Sequence, residues 1–107
     1  FEALTAECLL AAHRAGVAEA VLASLQASDP GWDWAKRGAY NLERMLVHGG
    51  RRASEMRGVA ATLRELGLPD RMAAAAAAWQ DELAALELSA GADDLADRVA
   101  RILSRLP

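Results

Sequence analysis

The sequence predicts an all-α fold in which one domain packs about six helices into a bundle. Three observations lead to this prediction. The strand-forming residues Val, Ile and Thr are scarce in the 107 residues, whereas alanine is abundant. Only three prolines interrupt the chain, and apolar residues recur at helical spacing through most of it. A chain of this length is expected to form a single domain, residues 1–107, with its own core.

The start of the chain is predicted to form two helices that are separated by Gly16. The first, residues 2–14, carries Leu4 and Cys8 on an apolar stripe, so Cys8 is interpreted as a small core residue rather than a nucleophile. Gly16 ends this helix. The second helix, residues 17–27, has one apolar face.

The predicted third helix covers residues 32–47 and contains a pair of tryptophans. The register of its apolar positions favours Trp32 over Trp34 as the core member of the pair. We expect the His48-Gly49-Gly50 segment to break this helix, because glycine disfavours helix interiors. Tyr40 and Asn41 lie away from the apolar stripe and are expected to face solvent or a second subunit.

Three more helices are predicted in the second half of the chain. The fourth spans residues 52–66 and is followed by Gly67, a residue typical of helix C-termini. The fifth, residues 69–88, has a regular apolar stripe that begins at Met72. The sixth extends to about residue 106, and its cap is either Asp93 or Asp94.

Composition excludes several classes of function. The net charge is −3 without a basic stripe, which argues against nucleic-acid binding. The longest apolar run, residues 72–79, is far shorter than the roughly 18 residues of a membrane span. Two separated histidines and one cysteine do not form a metal-ligand pattern, which argues against a metal site and against a helical-bundle metalloenzyme. The single cysteine and the lack of a signal peptide predict a cytoplasmic location.

The chemically richest segment surrounds the predicted start of the fourth helix. Two glycines followed by two arginines at a helix N-terminus would favour a small anion, because the helix dipole and guanidinium groups both attract negative charge. The alternative is a solvated, charged first turn without a ligand. The substrate-facing candidates are His48, Arg51, Arg52, Ser54 and Glu55.

The chain also resembles a known family. Residues 51–56 read R-R-A-S-E-M and residues 62–69 read T-L-R-E-L-G-L-P. Together with the opening helix and the Ser28-Asp29-Pro30 connection, they are similar to the C-terminal domain of phosphogluconate-dehydrogenase-like NAD-binding oxidoreductases. These enzymes belong to the β-hydroxyacid dehydrogenase superfamily. The resemblance spans roughly residues 4–88.

The resemblance implies a two-domain enzyme that oxidises a small hydroxy acid or a related acidic substrate. An N-terminal Rossmann domain of the same polypeptide would bind NAD or NADP, and the helical domain would form a wall of the substrate cleft and a homodimer interface. The superfamily's catalytic lysine would lie upstream of Phe1, and the only lysine here, Lys36, does not match it. A second superfamily motif, lysine-aspartate-leucine, aligns with Ser54-Glu55-Met56, so the lysine is replaced and Arg51 or Arg52 would take over anion binding.

Two functions therefore follow from the sequence. In the first, the chain is the substrate-cleft and dimerisation domain of an NAD(P)-dependent oxidoreductase. It would bind no cofactor and catalyse no reaction alone, because the sequence has no glycine-rich dinucleotide fingerprint. In the alternative, the chain is a stand-alone helical interaction module that uses its alanine-rich face and tryptophans for self-association.

Overall fold

The computed structural model describes residues 1–107 and contains five α-helices and no strand, which confirms the all-α prediction. The first two helices are separated by Gly16, whose φ of 74° is accessible to glycine at little cost. The third helix is more than twice as long as any other. The five helices are α1 (Glu2–Arg14), α2 (Ala18–Ser28), α3 (Trp34–Glu65), α4 (Arg71–Ala84) and α5 (Leu95–Leu103).

The long helix α3 joins the predicted third and fourth helices, so the predicted break at His48-Gly49-Gly50 is wrong. Gly49 is buried where α4 crosses α3. A Cβ atom at this position would lie 2.6 Å from the carbonyl oxygen of Gln80 and 3.0 Å from the Cβ of Ala84. The glycine is therefore explained by the close approach of α4, and the intact hydrogen-bond ladder of α3 outweighs the low helix propensity of glycine.

The turn between α3 and α4 follows the sequence prediction. Gly67 has a φ of 73°, its N–H donates to the Arg64 carbonyl, and the Leu68 N–H donates to the Leu63 carbonyl at 2.9 Å. These bonds satisfy carbonyl groups that the helix end would leave unpaired. The turn returns the chain so that α4 packs along α3, the most extensive helix pair in the fold.

The core lies where α1 packs against α3, α4 and α5. The predicted stripe of α1 is wrong at two positions, because Leu4 is 60% exposed and Cys8 is also exposed, whereas Leu9, Leu10 and Ala12 are buried as predicted. In an alanine-rich helix both sides are apolar, so periodicity alone does not choose the buried one. The buried core cluster comprises Ala3, Ala6, Leu9, Leu10, Ala39, Leu42, Met45, Leu46, Leu83, Leu95, Val99 and Ile102.

Other sequence predictions about burial are also corrected. Trp32 is 48% exposed and stacks against Arg37, whereas Trp34 is the more buried tryptophan and its Nε1–H donates to the Asp29 carbonyl at 2.8 Å. Asn41 is only 1% exposed, because its Nδ2 donates to Thr5 Oγ1 across the α1–α3 contact. Met72, placed inward by its register, is 72% exposed at the start of α4.

The cap of α5 allows a specific stability prediction. The Asp94 carboxylate accepts a hydrogen bond from the Asp97 N–H at 2.8 Å, and Asp94 has the extended backbone of an N-cap. We expect Asp94→Ala to lower the free energy of unfolding by about 1 kcal/mol, measured by urea denaturation. Asp94→Ser keeps a capping oxygen and serves as the control. Equal destabilisation by both substitutions would contradict the capping role.

None of the five helices combines the length and the apolar character that a membrane crossing requires.

Candidate functional site

A polar cavity of about 510 Å³ opens between α1, α3 and α4. Its floor includes the small side chains of Ala3 and Ala76 and the flexible side chain of Met56. Its rim and walls are mostly polar and carry more cationic than anionic groups. The polar side chains that line it are Glu2, Arg37, Tyr40, Asn41, Arg44, Arg52, Glu55 and Gln80.

Most of these polar side chains come from a single face of α3. Successive members of this face are three, four, eight and three residues apart, so each spacing lies within one residue of a whole number of helical turns. The members are Arg37, Tyr40, Arg44, Arg52 and Glu55. Because α3 is continuous through Gly49, all five share one rigid scaffold. The α1 and α4 helices complete the cavity from the opposite side.

The three arginines of the polar cavity are held differently. The Arg37 guanidinium lies 4.5 Å from the Trp32 ring centroid and 5.5 Å from that of Tyr40. The Arg44 guanidinium lies 5.7 Å from the Tyr40 ring, and its Nε is 3.6 Å from Glu2 Oε1. Stacking on an aromatic face orients a guanidinium without neutralising it. Neither Arg37 nor Arg52 forms an ion pair with a carboxylate, so both remain available to an anion.

Three buried polar atoms around the polar cavity lack a hydrogen-bond partner: Arg52 Nε, Gln80 Oε1 and Glu2 Oε1. Gln80 is only 4% exposed, and its Nε2 donates to Glu2 Oε2 at 3.3 Å. Unpaired buried donors and acceptors are rare in folded proteins, because each costs about 1–3 kcal/mol. Arg52, which has no ion-pair partner, and Gln80 both line the cavity, so the cavity offers a cationic donor and an amide group to a ligand that carries both an anionic group and a hydroxyl group.

The structure brings only two of the five substrate-facing candidates predicted from the sequence to the polar cavity. Arg52 and Glu55 line the polar cavity, whereas His48, Arg51 and Ser54 do not. Arg51 Nη1 instead pairs with Glu55 Oε1 at 3.1 Å, and both side chains are more than half exposed. Since α3 does not begin at this segment, the predicted anion site at a helix N-terminus is wrong, and any anion would meet side chains only.

The sequence interpretation missed Arg37, Arg44 and Gln80. The two arginines are in helical register with Arg52, so a continuous helix would have shown all three on one face. The predicted break at Gly49 divided that face into two unrelated segments. Gln80 gave no comparable signal, because its burial depends on the crossing of α3 and α4.

Metal sites and dinucleotide sites each require a particular arrangement of residues. No group of three or more histidine, cysteine or carboxylate side chains has the geometry to hold a metal ion. A dinucleotide site of the Rossmann type needs a strand followed by a glycine-rich turn and a helix, and these 107 residues contain no strand.

Comparisons with known proteins match this chain to one family and one solved structure. The family model described as "Domain of unknown function (DUF1932)" matches residues 12–83, a segment that contains every α3 and α4 residue of the polar cavity. The crystal structure of the conserved hypothetical protein from Sinorhizobium meliloti 1021 superposes with a TM-score of 0.84 at 37% sequence identity. The alignment covers 98% of this chain and 36% of that one, so this chain spans about a third of its relative's length. No curated protein matches the chain.

Proposed function

Because the chain belongs to the DUF1932 family, known as the C-terminal helical domain of NAD-binding proteins that resemble 6-phosphogluconate dehydrogenase, we propose that it binds the substrate of an NAD(P)-dependent oxidoreductase. The substrate is a small acid that carries a hydroxyl group. The observation that carries this proposal is the pair of guanidinium groups without an ion-pair partner, Arg37 and Arg52, which line the same polar cavity as Gln80.

Each of these residues has a binding role in the proposal. Arg52 donates guanidinium N–H groups to the substrate carboxylate, and Arg37, which stacks on Trp32, adds positive charge to the cavity. The Gln80 side-chain amide accepts a hydrogen bond from the substrate hydroxyl and so orients the carbon that would lose a hydride. A carboxylate alone would satisfy Arg52 but leave the Gln80 oxygen unpaired, which favours a hydroxy acid over a simple acid.

The redox chemistry is assigned to a second domain. The helical chain supplies the binding wall of the substrate cleft, and a nucleotide-binding domain would supply NAD or NADP as the hydride acceptor. The length of the Sinorhizobium meliloti relative, about a third of which aligns with this chain, supports such an arrangement. We propose that the two domains belong to one polypeptide and that the enzyme is a homodimer.

Binding of a hydroxy acid to the polar cavity is directly testable on this chain. We expect 3-hydroxybutyrate to shift the amide NMR signals of Arg52 and Gln80, and its methyl ester to bind more weakly. Loss of a charge-assisted hydrogen bond in Arg52→Ala should weaken binding by about 10- to 100-fold. Arg64→Ala is the matched control, because Arg64 pairs with Asp70 at the far end of α3 and does not line the cavity.

Two results would overturn the proposal. Equal affinity of the acid and its ester, or no effect of Arg52→Ala, would show that the cavity does not recognise a carboxylate. Self-association in sedimentation equilibrium without any acid binding would instead support the interaction module, which the exposed Leu66 and Leu68 side chains favour. The oxidoreductase assignment is tested with the complete gene product, in which Arg52→Ala should raise the KM for the hydroxy acid during NADH or NADPH formation.

A further inference from the structure

An apolar groove of about 580 Å³ runs along the outside of α1, α3 and α4, next to the polar cavity. Every side chain that lines this groove is apolar except that of Glu7. The Glu7 carboxylate is itself occupied, because it accepts a hydrogen bond from Trp79 Nε1 at 2.7 Å. The groove therefore offers a ligand apolar contact and almost no hydrogen bonding.

The apolar groove and the polar cavity adjoin along four shared residues, Phe1, Ala3, Met56 and Ala76. Among them, Met56 has a flexible, unbranched side chain that adapts to different shapes. Met56 also lies one helical turn after Arg52. Arg52 is thus one turn of α3 away from a residue of the apolar groove.

Large apolar side chains of the groove are exposed to solvent in this chain. Leu4 is 60% exposed, Val59 is 46% exposed and Met72 is 72% exposed. Contiguous exposed apolar surface of this kind commonly marks a binding site. A purely apolar partner would cover these side chains but leave Arg52, in the adjoining polar cavity, without a counter-charge. A ligand with an anionic end and an apolar end satisfies both parts.

We propose that the groove binds the hydrocarbon part of an amphipathic carboxylic acid whose carboxylate is held by Arg52 in the polar cavity. The proposal rests on the function proposed above and specifies the substrate class: acids with an alkyl or aryl chain of several carbons rather than only the shortest hydroxy acids. In the bound state the hydrocarbon chain of the ligand passes over Met56 and packs against Val59 and Met72.

Isothermal titration calorimetry of the 107-residue chain with butanoate, hexanoate and octanoate tests the proposal. We expect affinity to rise about two- to fourfold for each added methylene, because each is transferred from water to the groove. Octan-1-ol, which has the tail without the carboxylate, should bind at least tenfold more weakly than octanoate. Arg52→Ala should remove most of this difference.

A matched pair of valine variants locates the tail. Val59→Asn introduces no charge and should weaken octanoate binding about tenfold while leaving 3-hydroxybutyrate binding unchanged. Val47→Asn is the control, because Val47 is similarly exposed on the same helix but lines neither the cavity nor the groove. Amide NMR spectra of both variants establish that they remain folded.

The possible failures are distinguishable. If 3-hydroxybutyrate binds through Arg52 but affinity does not depend on chain length, the proposed function stands and the amphipathic substrate is wrong. If octanoate and octan-1-ol bind equally and Arg52→Ala has no effect, the groove is a general apolar site and both proposals fail. If Val59→Asn converts a dimer into a monomer and no acid binds, the groove is an interface between two copies, which also overturns the inference.

Discussion

Replacing Arg98 with alanine is expected to lower the free energy of unfolding by about 3–5 kcal/mol, the largest effect of any single substitution considered for this chain. Arg98 is only 1% exposed, yet it donates to three backbone carbonyls. Its Nε bonds to Ala90 at 2.9 Å, its Nη1 to Ala39 at 2.5 Å and its Nη2 to Ala92 at 2.8 Å. The substitution would remove these three hydrogen bonds and create a cavity between α5 and α3, although Ala90 still accepts from Arg101 Nη1 and Ala92 from the Asp94 N–H.

Urea denaturation monitored by circular dichroism measures this effect, and two further variants make it specific. Arg98→Lys keeps the charge but cannot reach three carbonyls with a planar fork, so it should recover only a small part of the loss. Arg105→Ala, on the exposed surface just beyond α5, should change the stability by less than about 0.5 kcal/mol. A loss below about 1 kcal/mol in Arg98→Ala would show that water replaces the guanidinium without penalty.

The second large effect is expected at Gly49, where α4 crosses α3. Gly49→Ala should lower the free energy of unfolding by about 1–3 kcal/mol, because the new Cβ would meet backbone rather than a movable side chain. The neighbouring Gly50 is exposed and a Cβ there would meet nothing within 4 Å. Gly50→Ala should therefore raise the stability by about 0.5–1 kcal/mol through helix propensity alone.

The opposite signs at two adjacent glycines form the test. Thermal and urea unfolding of both variants would measure them under identical conditions. Stabilisation by Gly49→Ala would mean that α4 moves away from α3 at little cost, and the tight crossing would not be a determinant of the fold. Destabilisation by Gly50→Ala would mean that α3 is not helical at that point.

Sequence patterns were reliable where one short-range signal dominated. The glycine after α3 and the stripe of α5 were both predicted correctly, because a left-handed C-cap and a clear apolar periodicity depend on a few neighbouring residues. The same stripe contains an arginine, and its position predicts burial. Arg98 lies in helical register with Leu95 and Ile102, which are both buried, and a charge at such a position indicates a buried, hydrogen-bonded group.

Patterns failed where the outcome depended on contacts between distant segments. Gly49 was interpreted as a helix breaker, although the same residue type also permits two helices to approach closely, and only α4 decides between the two roles. The choice of Leu4 and Cys8 as the buried side of α1 failed for the same reason. The candidate site was recovered in part, since Arg52 and Glu55 line the polar cavity, but Arg37, Arg44 and Gln80 required the continuous helix.

The continuity of α3 makes the polar cavity sensitive to chain length as well as to residue identity. Each residue of an α-helix advances the side-chain direction by about 100°. One residue inserted at the exposed Gly50 would leave both halves of α3 helical, yet it would rotate Arg52 and Glu55 by that angle away from Arg37 and Arg44. The number of residues between Arg44 and Arg52 is consequently a determinant of the binding site that no single substitution can alter or restore.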